Sequence, residues 1–164
     1  MVRLLLMKDI QISPNRTSGD SVLVWSFLVK PQSSLKKRAC PMNILIIEHD
    51  MSYAKWLKEN IGTRAFRIEI LGKAQEALNR LRQKSFDLIL VNIFLPDSTG
   101  PVLISEMKTI SPKAGIIAMT DRNSRELEMQ IRRLGILYYM IKPIDEKYLT
   151  RLLDHVEKKF VSVG

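Results

Sequence analysis

From Met42 onward the period of apolar and polar positions switches repeatedly, and the switches mark alternating strands and helices. Asn43-Ile44-Leu45-Ile46-Ile47 is a near-continuous apolar run, the pattern of a strand buried on both faces. Ser52–Ile61 places Tyr53, Trp56, Leu57 and Ile61 on one helical face, and Gly62 ends that helix. Phe66–Leu71 alternates as a half-exposed edge strand, and Ala74–Gln83 returns to helical spacing with Ala74, Ala77, Leu78 and Leu81. Asp87–Val91 is a second doubly buried strand, and the chain turns at Pro96, Asp97 and Gly100 beyond it. Val102–Ile110 predicts a helix with Leu103, Met107 and Ile110 inward, closed by Ser111-Pro112. Gly115–Met119 is the fourth strand. Ser124 caps a helix carrying Leu127, Ile131 and Leu134, and Gly135 stops it. Leu137–Ile141 is the fifth strand, broken by Lys142-Pro143. Asp145 then caps a last helix with Tyr148, Leu149, Leu152, Leu153 and Val156 inward. Five strand–helix units predict an α/β fold: a doubly wound, five-stranded parallel sheet with helices on both faces.

Composition adds an extension to this picture. The chain has 164 residues, 46% hydrophobic and 26% charged, enough for one globular domain with length to spare. Its net charge of +9 is uneven. Residues 1–41 carry seven basic and two acidic side chains, whereas residues 42–164 carry nineteen and fifteen. More than half of the excess therefore lies on a quarter of the chain, which argues against a nucleic-acid face spread over the folded part. Residues 1–41, with the turn-rich Pro14–Asp20 and the basic Pro31–Cys40, are expected to be a disordered or weakly ordered extension. Met42 stands where a compact domain would begin. The single Cys40 excludes an intramolecular disulfide, and no Cys/His spacing suggests zinc. No apolar run approaches the roughly twenty residues of a membrane helix, so a cytoplasmic location without membrane insertion is the expectation.

In a parallel sheet of this kind the chemistry is read at the strand ends. The first strand ends in Glu48-His49-Asp50, the third in Asn92, the fourth in Thr120-Asp121 and the fifth in Lys142-Pro143. Acids, a hydroxyl and a lysine thus converge on one edge. Asn92 is the odd member, because an amide carries no charge and is a poor nucleophile.

With these strand ends, and with Asp87–Gly100 and Tyr139-Met140-Ile141-Lys142-Pro143 in order, residues 42–160 resemble the receiver domain of two-component response regulators. The resemblance implies the flavodoxin-like strand order 2-1-3-4-5, with residues 161–164 as a tail. It also implies a phosphoryl-accepting Asp at the third strand end, an acidic pair that binds Mg²⁺ after the first, and a hydroxyl and a lysine that hold the phosphoryl group. Thr120 and Lys142 match the last two, Tyr139 matches the aromatic that moves with the switch, and Glu48 matches the first acid. Three positions depart. Asn92 replaces the phosphoacceptor, His49 replaces the second acid, and Asp121 brings negative charge where a small residue is usual. Imidazole suits Mg²⁺ poorly, and Glu48 with Asp50 offers it weak holding at most.

The expectation is therefore a degenerate pseudo-receiver. It is a single-domain member of a phosphorelay with no output module after its last helix, no enzymatic activity and no cofactor. It would act by contact with a protein such as a histidine kinase. Lys142 is expected to pair with Glu48 or Asp121 and hold the site shut, and Pro143 to follow a cis bond. The fourth helix, fifth strand and fifth helix are the expected partner or homodimer face, with Tyr139, Arg132, Lys147 and Arg151 as its patch. His155 reads as a surface residue, and Tyr53 and Trp56 as core. The rival readings are phosphorylation at Asp50, Asp97 or Asp121, a flavodoxin-like module binding a small ligand, and DNA binding by the basic N-terminal extension. No glycine-rich phosphate loop supports a nucleotide or flavin site.

Overall fold

The computed structural model describes residues 41–62 and 66–161. Most of residues 1–41 and of the tail at 161–164 therefore lie outside the described residues.

Strand β1 (Asn43–Ile47) leads to helix α1 (Met51–Ile61), then β2 (Arg67–Leu71), α2 (Ala74–Gln83) and β3 (Leu88–Asn92). Two short strands, β4 (Phe94–Leu95) and β5 (Ser98–Thr99), form an antiparallel hairpin before α3 (Gly100–Ile110). Strand β6 (Gly115–Thr120), α4 (Arg125–Arg133), β7 (Tyr138–Ile141) and α5 (Glu146–Val161) complete the order. The five long strands pair in parallel in the order β2-β1-β3-β6-β7, which is the predicted 2-1-3-4-5 once the hairpin is set aside.

The apolar runs explain why β1, β3 and β6 are central. Every residue of β3 and β6 is buried, so each strand can only sit between two neighbours and between two layers of helix. Leu45, Ile89, Val91, Ile116 and Ala118 join one core with Leu78, Leu103, Ile104 and Ile131 from α2, α3 and α4. Ile44, Ile46, Leu88, Leu90, Ile117 and Met119 join the other with Leu57, Ile61, Leu149 and Leu153 from α1 and α5. Alternation along one strand thus feeds two cores, and each fully buried Leu or Ile contributes roughly 1.5–3 kcal/mol. Register follows: Ile44 stands beside Leu88 and Leu88 beside Gly115, so all the strand ends that matter finish at one edge.

Capping fixes the helix starts. Ser124 accepts from Leu127 N–H at 3.1 Å and Asp145 from Tyr148 N–H at 2.8 Å, as the sequence predicts. Helix α4 ends at Leu134, and Gly135 follows with φ +73°, a conformation that glycine adopts without strain. One inward assignment fails. Tyr148 is 50% exposed, because it stands at the margin of the helical face that buries Leu149, Leu152, Leu153 and Val156, and it lines a surface groove instead. Conversely, Ile104 is fully buried on α3 beside Leu103.

Candidate functional site

The parallel strands bring Glu48, Asn92, Thr120 and Lys142 to one edge, and Glu48 is the centre of what forms there. Its backbone is still held by the sheet, through a hydrogen bond from its N–H to the Leu71 carbonyl at 3.0 Å. Its carboxylate is fully buried. Oε2 pairs with the Lys142 ammonium. Oε1 accepts from the Asn92 amide at 3.0 Å and from the Asp50 backbone N–H at 3.1 Å, and His49 Nδ1 lies 3.3 Å away. The buried charge is thus both paired and hydrogen-bonded, the arrangement that makes burial of a carboxylate tolerable.

Asn92, 1% exposed, is oriented by its two neighbours. Its Oδ1 accepts from Phe94 N–H at 3.0 Å, while its Nδ2 faces Glu48 and lies 3.3 Å from His49 Nδ1. A flipped amide would set carbonyl oxygen against carboxylate and N–H against N–H. The amide is therefore a structural bridge from β3 to β1 and to the hairpin. Of the two pairings foreseen for Lys142, the structure takes Glu48. The Lys142 ammonium also lies 4.4 Å from the centre of the Tyr53 ring, and the Lys142-Pro143 bond is cis.

The other sequence candidates divide. Asp50 caps α1, its Oδ1 accepting from Ser52 and Tyr53 N–H groups at 2.9 and 3.1 Å. Asp121 sits on the exposed rim, and with His49, Asp50, Tyr53, Lys142 and Pro143 it lines an open cleft of about 360 Å³ beside Glu48. Thr120 is buried, but its hydroxyl donates to the Arg122 carbonyl at 2.5 Å and accepts from Arg122 N–H at 3.0 Å. The hydroxyl closes its own turn rather than facing the cleft with its proton. Tyr53 stacks on Trp56 with ring centres 5.4 Å apart, and both pack against the core. His155 is exposed and meets the Tyr138 ring edge-on at 6.4 Å.

Tyr139 is only 7% exposed, and its hydroxyl donates to Asn123 Oδ1 at 3.0 Å. Burial, followed by the nearby Glu128 carboxylate, pushes its pKa up. The Arg132 guanidinium covers the ring at 5.7 Å. The expected patch therefore has to be redrawn: Tyr139 is a packed ring, because β7 directs it into the core beside α4. Lys147 and Arg151 are exposed on α5, but the apolar surface there comes from Ile141 and Tyr148, 49% and 50% exposed. These two residues share a groove of about 320 Å³ with Arg132, Pro143 and Asp145.

Mg²⁺ demands several oxygen ligands in near-octahedral array. Here Glu48 Oε2 is taken by an ammonium, Oε1 by two N–H donors, Asn92 Oδ1 by a backbone N–H and Asp50 Oδ1 by a helix start. Among the described residues no group of three or more His, Cys, Asp and Glu side chains is arranged to hold a metal. The Glu48 and Asn92 oxygens at this edge are thus engaged by the protein's own donors.

Two structural roles escaped the sequence reading. Asp97, in the turn of the β4–β5 hairpin, accepts from Ala74 and Gln75 N–H groups at 3.0 and 3.1 Å and so caps α2 from a distance. These bonds, the one from Ala74 first, hold its pKa below the usual carboxylate range. Only the Pro-Asp turn signal hinted at it. Asn123, the partner of Tyr139, carried no distinguishing signal.

A family model of the response regulator receiver domain matches residues 44–154. The transcriptional regulatory protein CitT of Bacillus subtilis is 30% identical over 122 residues, which cover 72% of this chain and 54% of that protein. ZraR of Klebsiella oxytoca, also a transcriptional regulatory protein, is 29% identical over 104 residues, 63% of this chain and 24% of that protein. The chain thus spans between a quarter and about half of the length of these curated relatives. Among solved structures, a CheY-like receiver domain protein from Methanospirillum hungatei is 27% identical, with a TM-score of 0.66 over 73% of this chain and 98% of that one. A two-component response regulator from Clostridium difficile gives a TM-score of 0.69 at 24% identity, with coverage of 73% and 98%.

Proposed function

The chain belongs to the response regulator receiver domain family, and from that premise we propose that it is a pseudo-receiver, a signalling module that works by protein contact without phosphorylation at position 92. One observation carries the reading: the Lys142–Glu48–Asn92 bridge occupies, with the protein's own cation and amide, the space in which a receiver handles a metal and a phosphoryl group. An amide at position 92 cannot form an acyl phosphate. The bridge balances the Glu48 charge internally, so no external cation is needed to stabilise the folded site.

The rival aspartates are poorly placed. Asp50 and Asp97 spend carboxylate oxygens on the N–H groups of α1 and α2, and a phosphoryl group there would uncap a helix. Asp121 stands exposed on the rim of the cleft. For the partner, the groove around Ile141 and Tyr148, with Arg132, Lys147 and Arg151 around it, offers apolar anchors inside a charged border. A histidine kinase or another signalling protein of the pathway is the expected occupant, with a second copy as the rival.

The test is phosphorylation chemistry. With Mg²⁺ and acetyl phosphate, no base-labile acyl phosphate should form on any aspartate. A stoichiometric adduct of that kind would sink the reading.

A further inference from the structure

The imidazole that replaces the second acid has the geometry of an oriented nucleophile. His49 Nδ1 points inward, 3.3 Å from the fully buried Glu48 Oε1 and 3.3 Å from Asn92 Nδ2. The side chain is nonetheless 45% exposed. With Nδ1 facing buried groups, the exposed part of the ring is its opposite side, which carries Nε2. Two tautomers find a partner inside. With the proton on Nε2, Nδ1 accepts from the Asn92 amide. With the proton on Nδ1, it donates to the Glu48 carboxylate, and Nε2 presents a lone pair to solvent. A carboxylate that holds a histidine in one tautomer and frees the other nitrogen is the recurrent way of making an imidazole reactive.

We propose that His49 Nε2 is a phosphoryl-accepting site of this protein, with Glu48 as its positioning residue and Lys142 as the adjoining positive charge. The inference rests on the pseudo-receiver reading, since it places the phosphoryl group on the residue that displaced an acid rather than on a carboxylate. The Nε2 lone pair attacks phosphorus of an acyl phosphate or phosphoramidate donor. The donor's O–P or N–P bond breaks, and the electron pair leaves on the carboxylate or on the nitrogen of an N-protonated phosphoramidate, which departs as the neutral amine. The proton stays on Nδ1, where the Glu48 carboxylate stabilises the cationic phosphoimidazole. The cleft of about 360 Å³ holds the other charges that face this ring: Lys142, mostly buried beside Tyr53, and the acids Asp50 and Asp121. Lys142 is the cation lining the cleft, although it is paired with Glu48; Asp50 is engaged in its helix cap, and the Asp121 carboxylate on the rim opposes an anionic donor.

The experiment treats the full chain separately with acetyl phosphate and with phosphoramidate and maps any adduct by mass. The expected product is acid-labile and base-stable, gains one phosphoryl group on the peptide containing His49, disappears in His49→Gln and persists in His155→Gln. Glu48→Gln, checked for folding by urea titration, should slow labelling by about 10- to 100-fold, the range for carboxylates that orient an imidazole. In the same variant the ¹⁵N spectrum of His49 should lose its Nδ1–H tautomer, which a merely structural Glu48 would leave in place. Absence of an adduct, or equal labelling of His49 and His155 in the wild type, overturns this proposal and leaves the pseudo-receiver reading standing. A base-labile carboxyl adduct that survives His49→Gln overturns both.

Discussion

Replacing Lys142 with Met isolates its ion pair with Glu48. Glu48 is fully buried and the Lys142 side chain is 13% exposed, so this pair is not a surface ion pair of the kind worth less than 1 kcal/mol. Removing one partner of a buried pair costs about 3–5 kcal/mol, since the remaining charge is left in a poor dielectric. The Asn92 amide and the Asp50 N–H still serve Glu48 Oε1 in the variant, which sets the expected loss near the lower end, about 3 kcal/mol. Methionine keeps most of the aliphatic stem, so the loss comes chiefly from the ammonium, which also lies over the Tyr53 ring. Urea unfolding followed by circular dichroism should show a midpoint lowered by about 1–3 M at an unchanged slope of about 1–3 kcal/mol/M. The double variant Glu48→Gln with Lys142→Met removes both charges and should recover roughly 2 kcal/mol of the loss. A Lys142→Met loss below about 1 kcal/mol would refute the reasoning, as would a double variant no more stable than the single one.

Asn92→Asp should fail to restore phosphorylation with Mg²⁺ and acetyl phosphate, because a carboxylate would replace the N–H donor 3.0 Å from Glu48 Oε1 while Lys142 still occupies Oε2. The same variant should lose about 1–3 kcal/mol in urea titration. Asp97→Ala should destabilise by about 1 kcal/mol through loss of the α2 cap. The depressed folded-state pKa of Asp97 makes that contribution present above the unfolded carboxylate value, about pH 4, and lost as pH falls through the folded one, so wild type and variant should converge in acid. Gly100→Ala would set a methyl carbon 2.5 Å from Ile93 Cβ, and an overpacking loss of about 1–3 kcal/mol should appear as a lower melting temperature.

The fold was legible because burial on both faces leaves a continuous apolar run that no surface strand needs, as in Leu88–Val91. The caps at Ser124 and Asp145 were legible for a related reason: a capping side chain bonds to N–H groups two or three residues ahead, within one sequence window. Asp97 was not, since it caps a helix that starts 23 residues before it. Tyr148 misled because helical spacing says which residues share a face, not how wide the buried strip on that face is: Leu149, beside it, is buried. At the site, sequence supplied the cast but not the bonding. Glu48, Asn92 and Lys142 could be brought to one edge by strand order. Whether Lys142 would choose Glu48 or Asp121 depended on which carboxylate was buried, and burial is a property of the folded layers.

The Lys142–Glu48 pair also has a bearing on how the chain becomes a protein. Its partners are 94 residues apart, one at the start of the sheet and one at its last strand. At about 5–20 residues per second, a growing chain would carry an unpaired Glu48 for several seconds or more before Lys142 exists. Packing β1 fully before then would bury a lone charge, so the first strand has a reason to stay loosely held until the last has been made. If the pair also forms after the transition state when the complete chain folds, losing it should quicken unfolding far more than it slows folding. The ammonium paired with Glu48 would then also set how long the finished domain lasts.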